Sequence, residues 1–251
     1  MKLGSVTYNM FKDTDLPTTI QLADKLGLAA LELRTTHRHG VEPTLSKPER
    51  AEVKQRFAAA KVRLLSYGTV CEFQSADHGV VMQQVKDCKA FVELARDTGA
   101  LGVKVRPNGY VTGLPEATTN RQIGEAMREC GEYAKQYGVH IWMEVHGRGT
   151  QEPKNCRTIM EAANHPNVGI CWNSNPTDVV AGGVASNFEL LRPWIRNVHI
   201  NELWNGYPYR ELFGLLKAMN YQGYTLAEIQ DNPQIERFMQ YYKALWTELS
   251  K

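Results

Sequence analysis

The sequence lacks long apolar runs and has no excess of charge of one sign. No stretch approaches the 18 consecutive apolar residues of a membrane-spanning helix, and residues 1–8 lead into a polar segment rather than a signal-peptide core. The 251 residues carry 29 Lys and Arg against 27 Asp and Glu, a formal net charge of +2. This balance gives no broad basic field, so we expect neither nucleic acid nor a membrane as a partner.

Cysteine is scarce and forms no motif. The five cysteines are widely spaced and include no Cys-x-x-Cys pair: Cys71, Cys88, Cys130, Cys156 and Cys171. An odd number in this pattern favours reduced thiols and a cytoplasmic location. It disfavours a disulfide framework and a cysteine-rich zinc site.

Glycine-rich nucleotide-binding loops are also missing. Tyr8, Asn9, Met10 and Phe11 stand where a dinucleotide-binding fold has its glycine fingerprint. The chain has no P-loop and no Gly-x-Ser-x-Gly elbow. An open doubly wound sheet is therefore the less favoured of the two parallel α/β arrangements.

Short β-type runs alternate with longer amphipathic helical runs along the whole chain. The predicted strands are 3–8, 30–34, 62–67, 102–106, 139–146, 168–173, 195–201 and 223–229. The predicted helices are 14–26, 47–60, 80–98, 116–137, 152–164, 209–219 and 232–249. Eight strand–helix units of about 31 residues predict a single-domain α/β protein, a (β/α)8 TIM barrel over residues 1–251.

Four polar residues stand at the ends of four successive predicted strands. Glu144, Asn173, His199 and Glu228 are about 26–29 residues apart, close to one strand–helix unit. The carboxyl ends of barrel strands form one mouth, so these side chains are expected to converge there. Taken singly, each has a structural interpretation, such as an ion pair, a core histidine or a turn. Their shared period favours a site.

Two carboxylates, an imidazole and an amide oxygen suit one divalent cation. Oxygen-rich donors favour Mn²⁺ most, with Mg²⁺, Co²⁺ or Zn²⁺ as alternatives. Fewer than six protein ligands leaves positions for substrate or water, as a catalytic metal needs.

Further polar residues are expected around the same mouth. His146 shares a strand face with Glu144 and is a candidate acid–base residue. Lys104 and Arg106 share a face at the end of the fourth strand, where they either bind substrate or neutralise Glu144. The other candidate substrate-binding residues lie in loops after the strands: His37, Glu72, Asn175, Glu202 and Arg210.

At these strand ends the chain resembles the xylose isomerase-like sugar isomerase and epimerase superfamily, which includes relatives of tagatose 3-epimerase, inosose dehydratase and endonuclease IV. The specific segments are 143–147 (Met-Glu-Val-His-Gly), 169–173, 197–200 and 226–228. The resemblance covers nearly the whole chain. It implies a metal set at Glu144, Asn173, His199 and Glu228, with the two glutamates exchanging the substrate proton.

Two positions depart from the family pattern. Asn173 stands where the family usually has Asp, which makes the expected metal site neutral. Either Asn173 ligates the metal more weakly than Asp would, or it hydrogen-bonds a ligand and His146 takes its coordination place. Asn175 stands where the family often has His.

The resemblance implies a divalent-metal-dependent isomerase or epimerase acting on a sugar or keto-polyol through an enediolate. One alternative is a lyase, dehydratase or deglycosidase that eliminates a group from the same enolate, with His146 as the acid. Another is a non-catalytic sugar-binding barrel. The expected partner is a small sugar, with a homo-oligomer left open. Endonuclease activity is disfavoured because a DNA-binding face needs positive charge.

Overall fold

The computed structural model describes residues 1–180 and 182–251, and within these it contains eight parallel strands closed into a barrel. The strands are β1 Lys2–Asn9, β2 Ala30–Arg34, β3 Arg63–Gly68, β4 Gly102–Val105, β5 His140–Glu144, β6 Val168–Asn173, β7 Ile195–Ile200 and β8 Tyr224–Ile229. They follow one another in chain order, and β1 pairs with β8 to close the barrel. The predicted (β/α)8 TIM barrel is confirmed.

Helices follow the strands and cover the outside of the barrel. They are α1 Leu16–Leu26, α2 Lys47–Ala58, α3 His78–Thr98, α4 Glu116–Lys135, α5 Pro153–Ala163, α6 Gly183–Leu191, α7 Tyr209–Ala218 and α8 Ile235–Leu249. Helix α6 is the one helix of these eight that was not predicted from the sequence. Among the described residues, no helix has the length and apolar character needed to span a membrane.

An apolar plug fills the lower part of the barrel interior. Its buried members are Val6, Ala30, Leu65, Trp142, Cys171 and Leu226. The Trp142 ring fits because Gly102 lies beside it on β4, where a Cβ atom would meet the ring at 2.6 Å. The polar side chains at the barrel mouth therefore lie above a layer of buried apolar side chains that excludes water.

Candidate active site

An open cavity of ≈ 370 Å³ lies at the carboxyl ends of the strands. Most residues predicted for the site line it: Lys104, Arg106, Glu144, His146, Asn173, Asn175, Glu202 and Glu228. His199 lies fully buried beside Glu144 and Glu228. The strand register explains this grouping, because Asn173 on β6 pairs with His199 on β7.

Three potential metal ligands converge at the bottom of the cavity. One ligand atom each from Glu144, His199 and Glu228 lies within 4.8 Å of the others. The Nδ1 atom of His199 is 3.6 Å from Glu144 Oε1 and 3.4 Å from Glu228 Oε2. Two carboxylate oxygens and one imidazole nitrogen are therefore directed toward a common point.

Asn173 adds a fourth donor to this cluster. Its Nδ2 donates a hydrogen bond of 3.4 Å to Glu144 Oε1. Its Oδ1 is buried and, among the described residues, has no hydrogen-bond partner. An orphaned buried acceptor is costly unless another group satisfies it, and a cation would do so. The donor set therefore fits a divalent ion bound by Glu144, Asn173, His199 and Glu228.

Glu32 is a buried residue that the sequence analysis missed. Its Oε1 lies 3.3 Å from His199 Nε2, and its Oε2 accepts a 2.7 Å hydrogen bond from Ser66. Burial opposes ionisation of Glu32, but His199, Lys104 and the hydrogen bond from Ser66 together outweigh it and lower the pKa of the carboxyl. A carboxylate behind a ligating imidazole fixes the ring, here with Nδ1 toward the other ligands.

Lys104 supplies a fixed positive charge inside the barrel. Its Nζ contacts Glu144 Oε2 at 2.6 Å, and both side chains are almost fully buried. Burial alone would lower the Lys104 pKa, but Glu144, Glu32 and Glu228 raise it above its ordinary value. Burial would likewise raise the Glu144 pKa, but Lys104 and His199 hold it well below its usual range. Of the two roles considered for Lys104, this contact therefore supports neutralisation of Glu144.

His199 lies among carboxylates that favour its protonated form. Burial works against the imidazolium, but Cys171, Glu32 and Glu228 raise the His199 pKa well above its ordinary value. With His199 protonated, this ring and Lys104 face the carboxylates of Glu32, Glu144 and Glu228, which leaves one negative charge in excess. Exchange of the His199 proton for a divalent ion would make the cluster neutral, because the ion and Lys104 together carry three positive charges against three carboxylates.

Two residues at the rim of the cavity, His146 and Asn175, differ in whether their polar groups are already hydrogen-bonded. His146 Nδ1 is buried and has no hydrogen-bond partner among the described residues. Asn175 Nδ2 donates to the Val145 carbonyl at 2.6 Å, so this amide is held by the end of β5. His146 is therefore the rim residue with a ring nitrogen available to a ligand.

Three predicted substrate-binding residues lie outside the cavity. Glu72 accepts a 2.9 Å hydrogen bond from Arg106 Nε, so it orients the cation behind the cavity wall. His37 Nδ1 is bonded to the Thr7 hydroxyl at 2.9 Å, and burial together with Arg34 lowers its pKa to about 4. Arg210 donates to the Glu248 carbonyl at 3.1 Å, on the outer face between α7 and α8.

Asp178 anchors the loops after β6 and β7. Its Oδ2 accepts hydrogen bonds of 2.9 Å from the Asn175 backbone N–H and from the Tyr207 hydroxyl. Trp172 Nε1 donates in turn to the Tyr207 oxygen at 3.2 Å. Burial raises the Asp178 pKa from 3.8 to about 7, although both hydrogen bonds act to lower it.

This raised pKa predicts a pH-dependent stability. The folded state holds the Asp178 proton more tightly than the unfolded state, so this stabilisation is full below about pH 4 and is lost as pH rises through about 7. From pH 5 to 8.5, wild type should lose about 3 kcal/mol more unfolding free energy than Asp178→Asn. Urea unfolding at both pH values measures this. Parallel pH dependence in the two proteins would contradict it.

The structure thus defines a closed (β/α)8 barrel whose mouth carries a candidate divalent-metal centre. Residues 20–245 match the family described as xylose isomerase-like TIM barrel, and the chain belongs to this family. The resemblance noted from the strand ends is confirmed. No curated protein shows significant similarity to the chain.

Solved structures of several proteins share the fold over nearly their full length. A structure of the IOLI protein with a bound zinc atom has a TM-score of 0.81 at 15% identity, covering 100% of this chain and 96% of that one. The 3-keto-D-glucoside 4-epimerase YcjR from E. coli has a TM-score of 0.80 at 15% identity, covering 99% and 98%. The probable 3-DHS dehydratase AsbF from Bacillus anthracis has a TM-score of 0.75 at 13% identity, covering 98% and 99%. At these identities the likeness concerns the fold.

Proposed function

We propose that the protein is a divalent-metal-dependent isomerase or epimerase that acts on a sugar or keto-polyol through an enediolate. The observation that carries the proposal is the convergence of Glu144, His199 and Glu228 beside the unsatisfied oxygen of Asn173. The epimerase and the zinc-containing protein among the structural neighbours support it. Mn²⁺ is the proposed ion because three of the four donors are oxygen atoms.

When bound, the divalent ion would polarise a substrate carbonyl and so acidify the neighbouring carbon. Glu228 is the better placed of the two carboxylates to take that carbon-bound proton. Its side chain is 18% exposed toward the cavity, whereas Glu144 is 3% exposed and is paired with Lys104. A carboxylate whose pKa is held low is a weak base, which assigns Glu144 to binding and Glu228 to proton transfer.

The return of the proton decides the product. If a proton returns to the opposite face of the same carbon, the product is an epimer. If Glu228 delivers the proton to the adjacent carbon, the product is an isomer. The apolar plug around Trp142 excludes bulk water from below, which protects the enediolate while the proton is held by the protein.

The availability of His146 favours a second candidate, a lyase or dehydratase. His146 lines the cavity, and its buried Nδ1 atom has no partner among the described residues, so we assign this ring as the acid that would protonate a departing hydroxyl or sugar oxygen. The Glu144–Lys104 ion pair, which leaves one effective base, also suits elimination. The dehydratase among the structural neighbours supports this alternative.

Solvent exchange tests the proposal. Mn²⁺-loaded protein is incubated in D₂O with a panel of ketohexoses, keto-acids and keto-glycosides, and proton NMR follows each carbon position. Deuterium gain without loss of a group supports an isomerase or epimerase, whereas release of water or an aglycone supports a lyase. Binding of a sugar without either reaction supports a sugar-binding barrel. Absence of exchange and release with Mn²⁺, Mg²⁺, Co²⁺ and Zn²⁺ contradicts the proposed enzyme.

A further inference from the structure

The two halves of the barrel mouth carry different charges. The candidate metal ligands lie on β5–β8, whereas Arg34, Lys104 and Arg106 line the half formed by β2–β4. In the sheet, Arg34 is in register with Gly68, and Gly68 with Lys104. Neighbouring strands are about 4.8 Å apart, so about 10 Å separates the Arg34 and Lys104 backbones. Gly68 has no side chain, and the Glu32 carboxylate lies against it, with Oε1 2.8 Å from where a Cβ atom would be.

Two of these three cations are already neutralised by carboxylates. Lys104 contacts Glu144 at 2.6 Å, and Arg106 Nε contacts Glu72 at 2.9 Å. The Glu72 contact uses only the Nε edge of Arg106, so the remaining N–H groups of this guanidinium can meet a ligand in the cavity. The third cation, Arg34, has no such carboxylate partner among the described residues.

Arg34 lines the cavity without an acidic partner. Within the described ranges 1–180 and 182–251, no carboxylate lies within 4.0 Å of its guanidinium. One nitrogen donates a 3.0 Å hydrogen bond to the Thr35 carbonyl, and the group lies 5.4 Å from the centre of the Tyr8 ring. The contact with Tyr8 and the hydrogen bond to Thr35 hold the guanidinium at the cavity wall, and a guanidinium suits a bidentate contact with a carboxylate.

We infer that Arg34 and Arg106 form an anion subsite that binds a carboxylate of the substrate. The inference deepens the proposed function and rests on it, because the metal centre on β5–β8 would bind the carbonyl end of the same molecule. The substrate class is then a keto-sugar acid with its carboxylate remote from its carbonyl. One unmatched positive charge suits a monoanion, and the sequence provides no glycine-rich cradle for a phosphate.

Matched pairs of sugars test this subsite. D-fructuronate differs from D-fructose only in carrying a carboxylate at C6, and D-tagaturonate differs from D-tagatose in the same way. Calorimetric titration of the Mn²⁺-loaded protein should show at least one acid bound about 10- to 100-fold more tightly than its neutral partner. Arg34→Gln should remove most of this preference, because it should weaken binding of the acid far more than binding of the neutral sugar. Arg34→Lys should retain part of it.

Arg38→Gln is the matched control, because Arg38 lies outside the cavity and donates to the Asp13 carbonyl. It should leave the preference for the acids intact. Equal binding, or no binding, of acid and neutral sugar in both pairs overturns the inference, as does an equal loss for both sugars in Arg34→Gln. Metal content and solvent exchange are measured on the same samples. If the protein holds metal and exchanges protons but binds acid and neutral sugar equally, the anion subsite is refuted and the proposed function stands.

Discussion

Lys104→Met is expected to lower the free energy of unfolding of the metal-free protein by about 3–5 kcal/mol. Lys104 and Glu144 are almost fully buried and form a 2.6 Å ion pair, and Glu32 also lies close enough to raise the Lys104 pKa. Removing the ammonium leaves buried carboxylates without their main fixed cation. Methionine keeps a similar length and an apolar character, so the loss reflects charge more than volume.

Added metal should reverse much of this loss. Without Lys104 the cluster has one more negative charge in excess, so Mn²⁺ should bind at least about tenfold more tightly than in wild type. At equal Mn²⁺ concentration the variant therefore gains more stability than wild type. Urea unfolding with and without Mn²⁺ measures both effects.

Lys89→Met is the matched control for this experiment. Lys89 pairs with Glu129 at 2.6 Å on the surface between α3 and α4, with the two side chains 29% and 46% exposed. Exposed pairs contribute about 0–1 kcal/mol, so this variant should unfold almost as wild type does and respond to Mn²⁺ as wild type does. Equal losses in the two variants, or no metal rescue of Lys104→Met, would contradict the assignment of Lys104.

Glu228→Gln is expected to reduce carbon-bound proton exchange by about 10²–10⁴-fold, even at saturating Mn²⁺. Glutamine keeps the shape of the side chain but does not accept a proton at neutral pH. Glu202→Gln is the control, since Glu202 lines the same cavity and its Oε1 is bonded at 3.3 Å to the Gln230 backbone N–H. We expect a change of less than about tenfold there. Similar losses in both variants would remove Glu228 from its proposed role.

The fold could be predicted because the same strand–helix pattern repeats eight times along the sequence. Each strand–helix unit has a buried β-type run and an amphipathic helix, and eight such units leave few alternatives to a closed barrel. The helix α6 was missed for a local reason. It begins at Gly183 after Gly182, which provides no side-chain cap, so the usual N-terminal signal is absent.

The candidate site was predictable where strand alternation alone decides it. Alternation grouped Glu144 with His146, and the period of the strand ends grouped both with His199 and Glu228. The same alternation in β2 places Glu32 and Arg34 on one face, and this signal would have identified both residues. The role of Glu32 depends on His199, which is far away in the chain, so the local pattern does not reveal it.

Loop residues were harder to assign. His37, Glu72 and Arg210 all follow strand ends, which made them candidates for the mouth. The sequence does not determine the orientation of a side chain in a loop. In the structure each of the three is hydrogen-bonded to another residue of the protein: Thr7, Arg106 and Glu248, respectively. Asn175 and Glu202 also come from loops, yet they line the cavity.

We propose that Glu144, Asn173, His199 and Glu228 together hold one divalent ion. The most direct test is the metal content per chain of protein that has been stripped with a chelator and then dialysed against Mn²⁺. We expect about one ion per chain in wild type, a large loss in His199→Ala, and no loss in His37→Ala, because His37 lies outside the cavity. A wild-type protein that holds no ion at saturating Mn²⁺, Mg²⁺, Co²⁺ or Zn²⁺ would contradict it.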